Sequence, residues 1–85
     1  SNYDYYFLRV GESYFEMGKY EKAREIFQQI MNEPSNPYHV EAFNQMGLIE
    51  FYSKNWDEAV EYWMEYLKRE RRKDQIIKVK FLIAN

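Results

Sequence analysis

At 85 residues the chain is one small domain, able to bury about 60–65% of the surface its unfolded form exposes. Hydrophobic residues at 46% and aromatics at 20%, from nine Tyr, six Phe and two Trp, supply a packed core and exclude a disordered chain. A net charge of −2 provides no general field for nucleic acid or an anionic membrane, and the lack of cysteine excludes disulfides and thiolate metal sites.

Apolar residues then recur at intervals of three and four along the chain, which is the helical period. Phe7, Val10, Tyr14 and Met17 predict a helix over 4–17, and Gly18 suits the left-handed residue that ends it. Ala23, Ile26, Phe27 and Ile30 predict a second helix over 20–32. Both prolines fall in the loop that follows, from Glu33 to Pro37. Asn36 before Pro37 places a side-chain acceptor and a residue without an amide hydrogen at the start of a third helix over 37–53, carrying Phe43, Met46 and Ile49. Ala59, Tyr62, Trp63 and Tyr66 predict a fourth helix over 56–69, and a fifth spans 74–85. Glu70 to Lys73 holds no breaker, so the sequence leaves open whether the fourth and fifth helices are continuous. No apolar run approaches the roughly 20 residues of a membrane span, and the start lacks a signal peptide's pattern. A soluble chain is expected, of cytoplasm or periplasm alike, and the apolar pattern still running at Asn85 reads as a segment of a longer protein.

Features that could carry chemistry each have a plainer structural reading. His39 has no second His or Cys to join it around a metal. Carboxylates three or four apart, such as Glu12 with Glu16 or Glu58 with Glu61, are what a solvated helix face carries. Lys68 to Lys73 is a concentrated basic stretch, but cations at a helix C-terminus complement its dipole. With no Gly-rich phosphate loop either, the sequence predicts neither an enzyme, a cofactor, a metal nor a nucleic-acid partner.

Internal repetition is the strongest signal. Gly11 and Gly47 stand 36 residues apart, and in that register Phe7 meets Phe43, Tyr20 meets Trp56, Ala23 meets Ala59 and Phe27 meets Trp63. A small residue in one helix, then an aromatic, an Ala three on and an aromatic four beyond in the next, resembles the tetratricopeptide repeat family. The resemblance implies an all-α, right-handed superhelix of antiparallel helix pairs. In this chain it would comprise about two and a half repeats in one domain over 1–85: repeat one at 4–36, repeat two at 37–73, and the opening helix of a third at 74–85, with Ala84 taking the place of Gly47. The glycines and alanines would let paired helices approach closely, and Phe27 and Trp63 would fill the space beside them. Two positions depart from the pattern: Glu50 stands where the first repeat has Tyr14, leaving its packing to Phe51 or Tyr52, and Lys54 stands where it has Gly18.

Proteins of this family present the first helix of each pair along a concave face. The resemblance therefore implies a protein or peptide partner held by Tyr5, Leu8, Glu12 and Phe15, then Glu41, Asn44, Leu48 and Phe51, then Lys78, Phe81 and Asn85. Such a surface, aromatic and aliphatic with acidic edges, suits an apolar or amphipathic segment. The clamp with which some members hold a terminal carboxylate is not expected, because its positions carry Leu8 and Glu12. The alternative is that the stripe joins copies of the chain into a homo-oligomer.

Overall fold

The computed structural model describes residues 2–85, so Ser1 of the expected domain lies outside them. Five helices follow one another: α1 (Asn2–Glu16), α2 (Tyr20–Met31), α3 (His39–Tyr52), α4 (Trp56–Arg69) and α5 (Lys73–Ala84). No strand occurs among the described residues. Packing follows chain order, α1 on α2, α2 on α3, α3 on α4 and α4 on α5, as in a stack where each unit meets its neighbours.

The turns within the two hairpins are built alike. Gly18 takes φ +76, its amide donates to the Phe15 carbonyl at 2.9 Å, and the Lys19 amide donates to the Tyr14 carbonyl at 2.8 Å. Lys54 takes the same left-handed conformation with φ 64, and the amides of Lys54 and Asn55 donate to the carbonyls of Phe51 and Glu50. These paired bonds satisfy carbonyls that a helix end leaves free. The residue that replaced glycine therefore kept the turn, at a conformational cost.

At the loop between hairpins, Asn36 does not cap α3, whose N-cap position is Tyr38 and carries no side-chain cap bond; its Oδ1 instead accepts from the Tyr38 amide at 2.8 Å in the turn ahead of the helix. The His39 amide donates to the Asn36 carbonyl three residues back, so this first turn is tighter than α-helical, and regular helix starts at His39 rather than at residue 37.

Two cores result. The first gathers Ala23, Ile26, Phe27 and Ile30 of α2 between Leu8 and Ala42, Met46 and Ile49; the second gathers Phe43, Ala59, Trp63, Tyr66 and Val79. Both glycines sit where the pairs meet. A Cβ on Gly11 would lie 2.9 Å from Ile26 Cγ2 and from the Phe27 ring tip, and one on Gly47 would fall within the Trp63 indole. Ala23 and Ala59 are 0% and 1% exposed, so neither site has room for a larger side chain.

Two further expectations change, and one question that the sequence left open is answered. Val10 and Met17, placed on the apolar stripe by their spacing, are 46% and 58% exposed. Met46, which matches Val10, is buried against α2, whereas no described helix covers that side of α1. Glu50 does not hand its packing to a neighbouring aromatic; it is itself buried, and Phe51 packs with Trp56 and Trp63 instead. Helices α4 and α5 are separate, because Glu70 and Arg72 adopt extended conformations with ψ 138 and 117.

Candidate functional site

The break after α4 is made by a side chain. Glu70 folds its carboxylate back over the connection, where Oε1 accepts from the amides of Arg71 and Arg72 at 2.9 and 3.0 Å. Oε2 accepts from the Tyr66 hydroxyl at 2.8 Å and from the Arg72 guanidinium at 3.0 Å. The Arg72 guanidinium foremost, helped by these amides and the hydroxyl, holds Glu70 down at about 2 against the opposing effect of burial. Burial and the bond to Glu70 push the Tyr66 phenol up. The basic stretch is thus organised around an acid, and its guanidinium groups are partly engaged within the fold.

That connection forms one wall of a cleft of about 520 Å³, whose other walls are Leu8 of α1 and Pro37, Tyr38, Val40 and Glu41 at the start of α3. Arg69 lies over the Phe43 ring, its guanidinium carbon 4.2 Å from the centroid, and donates to Glu65 at 3.0 Å. Glu41 receives the Gln45 amide at 3.1 Å and stands 3.9 Å from the Arg72 guanidinium. Burial pushes its carboxyl up, and the nearby charges of Glu12 and Glu70 push the same way. Glu12 is held at 2.8 Å by Arg9. The cleft therefore sets apolar Leu8, Pro37 and Val40 and a basic wall beside a partly desolvated acid that its neighbours neutralise incompletely.

Apart from Glu12, half-buried and paired with Arg9, the residues placed on the contact face by the sequence divide into three groups. Leu8 and Glu41 line this cleft, Leu8 with only 7% of its surface exposed because it also belongs to the first core. Asn44, Leu48, Phe15 and Phe51 are half-buried and engaged: Asn44 accepts from the Trp63 indole at 3.1 Å, Leu48 packs on the second core, Phe15 meets Tyr20 and Tyr52, and Phe51 meets Trp63. Tyr5, Lys78, Phe81 and Asn85 are exposed, Phe81 at 69%. A second, more apolar cleft of about 300 Å³ lies between α4 and the end of α5, lined by Trp56, Val60, Trp63, Leu82 and Ile83 together with Phe51 and Asn85. Tyr38, Val40 and the Arg69 to Arg72 wall were missed from the sequence, although Tyr66 and Glu70 four apart at a helix end were a sign of them.

His39 begins α3 with its ring edge-on to Phe43 and a buried Nδ1 that has no hydrogen-bond partner among the described residues. Among those residues no three of His, Asp and Glu are grouped as a metal would need, and no helix is long and apolar enough to cross a membrane.

Residues 5–35 match the family model described as the tetratricopeptide repeat. Searches of curated proteins and of solved structures gave no match. The matched segment holds most of α1, Gly18 and α2, and the glycine-on-aromatic contact within it, Gly11 on Phe27, returns in the second hairpin as Gly47 on Trp63. Residues 5–35 are thus similar to a tetratricopeptide repeat, a kind of repeat that serves as a protein–protein interaction module, and the wholly helical fold of the described residues is of that kind.

Proposed function

We propose that the chain binds an apolar or amphipathic segment of a partner protein across α1, α3 and α5, with the cleft between Leu8 and Glu41 as the centre of contact. The observation that carries this reading is the meeting of α1, the start of α3 and the end of α4 at one recess, where Leu8, Pro37 and Val40 stand beside the incompletely neutralised carboxylate of Glu41 and the wall from Arg69 to Arg72. Apolar anchors would contribute roughly 25 cal/mol per Å² buried, less the cost of ordering the segment. Tyr5 of α1 and Phe81 of α5 are exposed and free to add to the contact. Peptides selected from a displayed random library, mapped by chemical-shift perturbation, test it. The expected shifts fall on Tyr5, Tyr38, Glu41 and Phe81; shifts confined to the outer sides of α2 and α4, at Gln28 and Glu61, overturn it.

Self-association is a second reading, supported by the uncovered side of α1, where Tyr6 is 64% exposed beside Val10 and Met17. Tyr6 and Val10 match Ala42 and Met46, which lie buried in the core that α3 shares with α2. Light scattering across a dilution series separates the readings, since a strict monomer at every concentration removes this one.

A further inference from the structure

Lys68 to Asp74 contains no Gly, Pro or β-branched residue, yet the chain bends there. Its basic residues and Glu70 rank among good helix formers, so local preference favours one continuous helix. In the bent form the amides of Arg71 and Arg72 have no helical carbonyl to bond and turn instead to Glu70 Oε1. In a continuous helix the same amides would donate to the carbonyls four residues earlier, at Leu67 and Lys68. In the bent form one carboxylate thus takes the place of two helical carbonyls. The segment beyond it is lightly held: Val79 is the one buried residue of α5, with Leu82 and Ile83 only partly covered against α4.

We infer that α5 is an exchangeable arm, clasped onto its own α4 by Glu70 and able, when the clasp opens, to dock on α4 of a second copy of this chain. The occupant is identified by the structure itself, because the surface of Trp63 and Tyr66 that would be uncovered is the one α5 already fits. Exchange restores every α4–α5 contact at the cost of association alone, the condition under which domain swapping is accessible. A helix from Trp56 to Ala84 would run about 43 Å at 1.5 Å per residue, beyond the 35 Å greatest extent of the closed chain. Lys78 and Phe81 travel with α5, so in the exchanged dimer one wall of each contact face comes from the other copy.

The test uses the full chain with Glu70→Ala, Glu70→Gln and the double variant Glu70→Ala/Arg71→Pro, followed by light scattering, small-angle scattering and circular dichroism over a concentration series. Proline at 71 forbids the continuous helix while suiting the extended Glu70 before it. Glu70→Ala is expected to dimerise at least about tenfold more tightly than the unaltered chain, with undiminished helicity and a longer particle, since a lost bond to a charged group is of that size. Glu70→Gln is expected to shift the same way by less, and adding Arg71→Pro to return the mass to that of the unaltered chain. The inference is overturned if both single variants keep the original mass, if both lose helicity, or if the dimer is indifferent to Arg71→Pro.

Discussion

Arg24 of α2 grips Glu50 of α3 with two bonds, Nε to Oε2 at 2.8 Å and Nη2 to Oε1 at 3.1 Å, and thereby ties the two hairpins together. Asn55 adds a third bond at 2.8 Å, and Glu21 also touches the Arg24 guanidinium. Burial pushes the Glu50 carboxyl up, but the bonds from Arg24 and Asn55 outweigh it and hold the group below its ordinary value. With its side chain 8% exposed, Glu50 has no solvent to turn to if its partner is removed. Arg24→Met should therefore cost about 3 kcal/mol in urea unfolding, because it strands a buried charge. Arg24→Met/Glu50→Leu should cost less than the single change. A double variant as unstable as the sum of the two singles would show that the pair does not interact.

Lys54 holds a conformation that its side chain disfavours by roughly 1–2 kcal/mol, while Gly18 holds the same one freely. Glycine also loses more freedom on folding, which offsets part of the gain. Lys54→Gly should raise stability by about 1 kcal/mol, or about 4–8 °C in Tm for a domain of this size. Gly18→Ala should lower it by a similar amount, although nothing lies within 4 Å of the added Cβ, so the loss reports backbone strain alone. Thermal denaturation followed at 222 nm checks both signs.

The two glycine contacts differ in how far the opposing aromatic can retreat. At Gly11 an added Cβ meets the tips of Ile26 and Phe27, whereas at Gly47 it overlaps an indole whose nitrogen is fixed on Asn44. Overpacking of this kind typically costs 1–3 kcal/mol, and Gly47→Ala should lie near the top of that range with Gly11→Ala nearer the bottom. Gly47→Ala/Trp63→Phe should recover part of the loss, since the smaller ring leaves the space that the methyl needs. Chemical denaturation of the four variants decides it, and equal costs at the two glycines would contradict the assigned contacts.

The helices, the hairpins and the seats of Phe27 and Trp63 were legible because each rests on local spacing, and the repetition 36 residues apart checks one hairpin against the other. Glu50 was legible only as a departure from that pattern. Its partner Arg24 stands 26 residues away, on a helix whose face the period defines but whose rotamer it does not. The bend at Glu70 runs against propensity, since a carboxylate doing the work of two carbonyls leaves no compositional mark. On the expected contact face the register carried over from the repeat set Glu41 in a cleft and left Tyr5 exposed, but it could not tell an outward residue from one turned into the hairpin. Leu8 and Asn44, matched across the repeats, are both drawn inward, Leu8 by the first core and Asn44 by the Trp63 indole.

Two acids in the cleft should give the chain an asymmetric response to pH. Glu70 titrates at about 2 when folded, against 4.5 ordinarily, so folding favours its ionised form. Its contribution, on the order of 2–3 kcal/mol, is fully present above about 4.5 and is lost as pH falls toward about 2. Glu41 has the opposite sign, because a carboxyl pushed up by burial binds its proton more tightly in the folded chain. Ionised Glu41 therefore costs stability at neutral pH, and that cost disappears as the pH falls through its folded value. Glu70→Gln should destabilise at pH 7 and converge on the unaltered chain near pH 2, while Glu41→Gln should stabilise at pH 7 and lose its advantage near pH 3. Urea unfolding across that range separates them: a Glu70→Gln deficit that persists undiminished at pH 2 would mean that the side chain's shape, and not its charge, holds the connection bent.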